Sequence, residues 1–177
     1  MDEPSQQHDT ARLVAQLAAG DEGAFAEVYD RFGPRLFRTA LHVVGRRQDA
    51  EDAVQEVFIA LVRSRHRLFG VHDLPAYLFA SLRRAAARVA QRRAAEALPI
   101  GAALEAMVPP SADADPRGEA LRRAMAALSD EQREVIAMKI DGELTFAEIG
   151  RVLEISPNTA ASRYRYALER LRGWLKD

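Results

Sequence analysis

The sequence predicts an all-α fold made of two small helical domains joined by a flexible linker. Apolar residues recur at helical spacing almost throughout, and no window alternates as a half-buried strand would. A stretch rich in proline and alanine, residues 94–117, separates two helical blocks. The expected organisation is an acidic tail over 1–10, a first domain over 11–93, the linker over 94–117 and a second domain over 118–177.

Composition narrows the function classes. The chain has 177 residues, 48% of them hydrophobic, enough for one ordinary domain or two small ones. A net charge of -1 hides an uneven distribution. Residues 1–10 carry three acids and no Lys or Arg, and residues 11–93 carry 14 basic against 9 acidic side chains. Residues 94–117 carry one basic and four acidic groups, and residues 118–177 ten of each. The basic first domain thus lies between acidic flanks. The absence of cysteine excludes disulfides, thiolate zinc sites and cysteine nucleophiles. No apolar run approaches the roughly 20 residues that span a bilayer. The opening MDEPSQQHDT is the opposite of a secretory signal, so the cytoplasm is the expected compartment.

A first helix is expected over Ala11–Ala18, stopped by Gly20. Asp21 caps a second, in which Phe25, Val28, Tyr29 and Phe32 follow helical spacing up to Gly33-Pro34. A third runs from Pro34 to Val44 and ends at Gly45. The fourth contains DAEDAVQEVFIAL, residues 49–61. Ala50, Ala53, Val54, Val57, Phe58 and Leu61 make one apolar arc there, opposite Asp49, Glu51, Asp52, Gln55, Glu56 and Arg63. Ile59 projects from the middle of the polar side, where solvation gives no reason for it. The fifth helix covers Leu74–Arg93. Pro99, Pro109, Pro110 and Pro116 argue against a long helix in the linker, with room for a turn or two over Ala102–Met107. Helices are then expected over Glu119–Leu128, Asp130–Ile140, Thr145–Leu153 and Pro157–Leu175.

The most specific local signal is LTFAEIGRVLEISPNTAASRYRYALERL. Thr145 and Glu148 form a capping box, Ser156 caps the next helix and Pro157 takes its first position. The short Glu154-Ile155-Ser156 connection points to a helix-turn-helix, whose second helix enters a DNA major groove by its N-terminal part. Asn158, Thr159, Ser162, Arg163 and Arg165 are its candidate contacts, because Asn and Arg pair bidentately with base edges while Ser, Thr and Arg hold phosphates. A helical hairpin with a solvated basic face is the other reading. Glu154 stands where such turns usually carry glycine, at a cost of about 1 to 2 kcal/mol if the backbone is left-handed.

In the first domain, RRAAARVAQRR, residues 83–93, has five arginines and no acid. Arg84, Arg88 and Arg92 repeat every four residues along one stripe, a suitable footprint for phosphates. Tyr77 and Phe79 precede it on the same helix, and Phe69 lies in the loop before; aromatic groups beside a basic stripe suit stacking on unpaired bases. A solvated helix end over core aromatics is the alternative. His42, His66 and His72 have no carboxylate cluster beside them, and there is no phosphate-binding loop or nucleophile elbow. Neither a metal nor another cofactor is expected.

Together, GDEGAFAEVYDRFGPRLFRTA at 20–40, DAEDAVQEVFIAL at 49–61, PAYLFASLRRAAARVAQRR at 75–93 and LSDEQREVIAMKIDGELTFAEIGRVLEISPNTAASRYRYALERLR at 128–172 resemble the extracytoplasmic-function group of bacterial RNA polymerase sigma factors. The resemblance implies an initiation factor without catalysis of its own. It would bind core RNA polymerase through Asp49, Asp52, Gln55, Glu56, Ile59 and Arg63, on the segment that docks on the polymerase clamp helices. Phe69, Tyr77, Arg84, Arg88 and Arg92 would meet the minus-ten element of promoter DNA, and the helix-turn-helix the minus-thirty-five element. An anti-sigma factor is a further implied partner. The family usually has asparagine at Arg84 and aspartate at Arg88, so stronger backbone attraction is expected here. Ala160 and Ala161 stand where valine and a basic residue are common. Two other readings stay open: a helix-turn-helix regulator whose first domain binds a partner or ligand without polymerase, and an enzyme using the acidic helix.

Overall fold

The computed structural model describes residues 3–96 and 116–174. Its elements are α1 (Glu3–Ala19), α2 (Glu22–Val44), α3 (Arg47–Arg63), a short 3-10 helix (Arg65–Gly70), α4 (Leu74–Glu96), α5 (Pro116–Ala126), α6 (Asp130–Ile140), α7 (Phe146–Leu153) and α8 (Pro157–Trp174). Among the described residues there is no strand. The linker expectations over 97–115, including a turn at Ala102–Met107, lie outside the described residues.

Two expectations about the first domain are corrected. The helices placed on either side of Gly33-Pro34 are one, α2, with Pro34 inside it. An interior proline costs about 3 kcal/mol or more. Val28, Phe32, Leu36 and Ala40, one residue per turn on either side of it, are all buried. Burying each of the three large ones contributes about 1.5 to 3 kcal/mol, which outweighs the lost backbone bond. Gly33, having no Cβ, also spares the clash that a side chain before proline would make. The acidic tail is not separate either, since α1 begins at Glu3. Asp9 ties that end down, pairing with Arg12 at 2.9 Å and with Arg31 of α2 at 2.8 Å. The same hydrogen bonds hold the Asp9 carboxyl below its ordinary range.

Helices α1 to α4 pack around Leu13, Leu17, Phe32, Leu36, Leu61 and Leu78. Helices α5, α6 and α8 enclose Met125, Leu128, Ile136, Ala167 and Leu171. The expectation of two tethered domains carries no signal for a seam between them. In the fold the larger core runs on without a break into Val135, Met138, Leu144, Ile149, Val152 and Ala160 of the second block. At this seam Arg35 Nε donates to the Gly142 carbonyl at 3.1 Å. His42 Nε2 lies 3.2 Å from Asp141, and Arg83 lies 3.2 Å from Glu134. Arg151 of α7 meets Asp73, whose other oxygen caps the start of α4 by accepting from Ala76 N at 2.9 Å. Most cations of the seam come from the first block and most carboxylates from the second. Burial lowers the pKa of Arg35, with Glu143 and Glu148 opposing the shift.

Candidate functional site

The expected apolar arc of α3 is buried at Ala50, Ala53, Val54, Val57 and Leu61. Its opposite side divides in two. Asp52, Gln55, Ile59 and Arg63 line an open groove of about 880 Å³ between α2 and α3. Ile59 is 42% exposed there and Val62 49%. The groove's apolar floor comes from Phe37, Val54 and Phe58, and Tyr29 packs against Phe58 with ring centroids 4.9 Å apart and the planes tilted by 57°. Tyr29 belongs to the stripe that follows helical spacing with Phe25, Val28 and Phe32, yet it is 57% exposed. Tyr29 instead lines the groove, with its ring against Phe58. Helical periodicity does not locate the end of the neighbouring helix, so Tyr29 and Phe37 carry no groove signal in the sequence.

Asp49 and Glu56 do not face the groove. Asp49 lies 3.5 Å from Arg93. Glu56 Oε2 accepts from Arg88 Nη2 at 3.0 Å and Nε at 3.2 Å, while Oε1 accepts from Arg92 at 2.5 Å. Burial favours the neutral acid, but the bonds from Arg92 and Arg88 outweigh it and hold the Glu56 carboxyl below its ordinary range. The antiparallel packing of α3 and α4 therefore brings together residues the sequence placed on two separate surfaces. Arg84 is exposed and donates to Ser81 Oγ at 3.0 Å. Phe69, at the end of the 3-10 helix, is 74% exposed, whereas Tyr77 is half-buried with its hydroxyl 3.4 Å from Ser64 Oγ. Phe79 is fully buried and belongs to the core.

In the second block, capping boxes start both α6, at Ser129 and Gln132, and α7, at Thr145 and Glu148. Helix α7 ends at Glu154 in the left-handed region, φ 57 and ψ 40, and Ile155 N then donates to Gly150 O at 3.0 Å. Gly150 makes room for this turn, because a Cβ there would lie 2.8 Å from the Ile155 carbonyl oxygen. Ser156 Oγ accepts from Thr159 N at 3.0 Å and so opens α8. Phe146 packs on Tyr164, centroids 5.6 Å apart, which fixes α8 across α7. Asn158, Ser162 and Arg165 fall within an arc of about 60°. Asn158, Thr159 and Arg165 are exposed and Ser162 half-buried. Arg163 turns away from them, 3.1 Å from Glu131 of α6. The helix-turn-helix is therefore built, with four of its five candidate contacts at or beside the outer face.

Two family models match the chain: Sigma-70 region 2 over residues 28–96 and Sigma-70, region 4 over residues 124–173. The RNA polymerase sigma factor CarQ of Myxococcus xanthus is 30% identical over 164 residues, covering 89% of this chain and 92% of CarQ. The chain belongs to the sigma-70 family of RNA polymerase sigma factors. The ECF RNA polymerase sigma factor SigK of Mycobacterium tuberculosis, 29% identical over 180 residues with 97% and 96% of the two chains covered, places it in the extracytoplasmic-function group. Among solved structures, this sigma factor shares its fold with CnrH in complex with the cytosolic domain of CnrY (TM-score 0.68, 22% identity, 94% and 96% covered). It shares it also with the sigma factor RpoE in complex with the anti-sigma factor NepR from Bartonella quintana (TM-score 0.71, 21% identity, 86% and 96% covered). As a sigma factor the chain acts in transcription initiation and binds DNA. The groove and the arginine stripe both fall within its region 2, and the helix-turn-helix within its region 4. No described helix is long and apolar enough to cross a membrane.

Proposed function

We propose that core RNA polymerase docks on this sigma factor in the α2–α3 groove, with Gln55 and Ile59 at the centre of the contact and Asp52 and Arg63 at its rim. The observation that carries this reading is Ile59, an aliphatic side chain 42% exposed among polar residues, beside the apolar floor of Phe37 and Phe58. Exposed apolar surface rimmed by charge is the usual form of a protein interface. Phe69, Arg84, Arg88 and Arg92 meet the minus-ten DNA, and Asn158, Thr159, Ser162 and Arg165 read the minus-thirty-five element. Tyr77 supports the 3-10 helix that carries Phe69. Asp49 and Glu56 act through the arginines of α4, and Arg163 through α6. Residues 11–93 and 118–177 form the two working domains, with α1 extending the first to Glu3.

The factor itself performs no catalysis; phosphoryl transfer belongs to the polymerase. It works in the cytoplasm and is held in check by an anti-sigma factor, as RpoE is seen with NepR. The test is gel filtration of the purified chain with core RNA polymerase, followed by run-off transcription on genomic fragments. Co-elution and transcripts from a limited set of start sites are expected. Failure to bind core enzyme, with duplex binding by the chain alone, would favour a polymerase-independent regulator.

A further inference from the structure

We propose that Glu56 is a clamp that holds Arg88 and Arg92 back from nucleic acid until a cationic surface of the docking polymerase takes over its carboxylate. The proposal rests on the assignment of α3 to polymerase docking and of α4 to DNA.

Both oxygens of Glu56 are occupied, Oε2 by two nitrogens of Arg88 and Oε1 by Arg92. The Glu56 side chain is 24% exposed, against 54% for Arg88 and 57% for Arg92. The arginines are therefore engaged and partly neutralised without being buried. A partly exposed ion pair contributes little stability, so a competing ion can open it. With the clamp closed the three groups carry +1; with the carboxylate neutralised from outside they carry +2. Each freed guanidinium can then form a forked pair with a phosphate.

The geometry also supplies the link to the partner. A polar cleft of about 320 Å³ between α3 and α4 is lined by Asp49, Asp52, Gln55, Glu56, Arg92 and Arg93. Asp52 and Gln55 line the apolar groove as well. The two cavities thus meet along one row of α3, and basic side chains around a partner seated in the groove come within reach of Glu56. Docking and phosphate binding would be coupled through one carboxylate, with no rearrangement of the backbone.

The test uses the full-length chain and a fluorescein-labelled single-stranded oligonucleotide, read by anisotropy over a range of salt. Glu56→Gln is expected to tighten binding by about three- to tenfold at low salt and to steepen the salt dependence by roughly one unit of slope. Glu22→Gln removes the same charge from the first turn of α2 and is expected to give less than about a twofold change. In an Arg88→Gln/Arg92→Gln background, Glu56→Gln should gain nothing. With saturating core polymerase on promoter DNA, wild type and Glu56→Gln should form open complexes with the same salt slope. Unchanged oligonucleotide binding by Glu56→Gln would overturn the clamp. An equal gain in Glu22→Gln, or in the doubly substituted background, would overturn it in favour of bulk charge. A gain kept in full with core polymerase present would overturn release by docking. Failure of the wild type to bind core enzyme would instead strike the docking assignment, and the oligonucleotide comparison would still decide whether Glu56 restrains the arginines.

Discussion

Phe79 and Gly142 meet so closely that no Cβ fits between them: one added to Gly142 would lie 2.8 Å from Phe79 Cε1 and 2.6 Å from the Met138 carbonyl oxygen. This contact joins the two halves of the sigma factor, one residue from each. The ring is fully buried and the carbonyl is backbone, so neither can yield cheaply.

Gly142→Ala is therefore expected to destabilise the protein by about 1 to 3 kcal/mol. It should also loosen the packing of α6 and α7 on α2 and α4. Thermal unfolding and small-angle scattering check this, with a lower midpoint and a larger radius of gyration as the expected result.

On the docking face, Ile59→Glu combined with Gln55→Ala should weaken binding to core polymerase by about tenfold or more while leaving the helical circular dichroism unchanged. Both residues are exposed, so the fold does not depend on them. Unchanged affinity for core enzyme would refute the assignment of the groove.

Along α4, Arg84→Glu with Arg88→Glu should slow open-complex formation and flatten its salt dependence. The second substitution also sets a new carboxylate against Glu56, which now bonds Arg88 at 3.0 Å. Melting measured at several salt concentrations distinguishes a DNA role for the stripe from a purely solvated helix end.

Glu154 holds φ 57 with a full side chain, a conformation that costs about 1 to 2 kcal/mol outside glycine. Glu154→Gly should raise stability by about 0.5 to 1 kcal/mol, the relieved strain being partly offset by the freer unfolded chain. The midpoint of a urea titration reads it directly.

Helix-turn-helix and caps were legible because each rests on local chemistry. Thr145 with Glu148, Ser156 with Pro157 and the unusual Glu154 all behave as their positions in the sequence predict. Ile59 was legible as an anomaly, an aliphatic group out of phase with its own helix. What stayed hidden depended on the neighbour. The sequence shows that α4 is basic and α3 acidic, but only their antiparallel packing turns Asp49 and Glu56 from the groove toward Arg93, Arg88 and Arg92. Pro34 was overruled by the burial of Phe32 and Leu36 around it. The seam was invisible because Val135, Met138 and Ile149 would read the same whether they closed a core of their own or completed another.

Helix α2 serves three surfaces at once. Tyr29, Pro34 and Phe37 border the groove, Val28, Phe32 and Leu36 fill the core, and Arg35, Thr39 and His42 meet α6 and the turn after it. A substitution at any of these positions disturbs at least one of three surfaces. Tolerance to sequence drift should therefore be lowest at these positions, and variants meant to separate polymerase docking from the packing of the two halves belong on α3 for the first, at Ile59, and on α6 for the second.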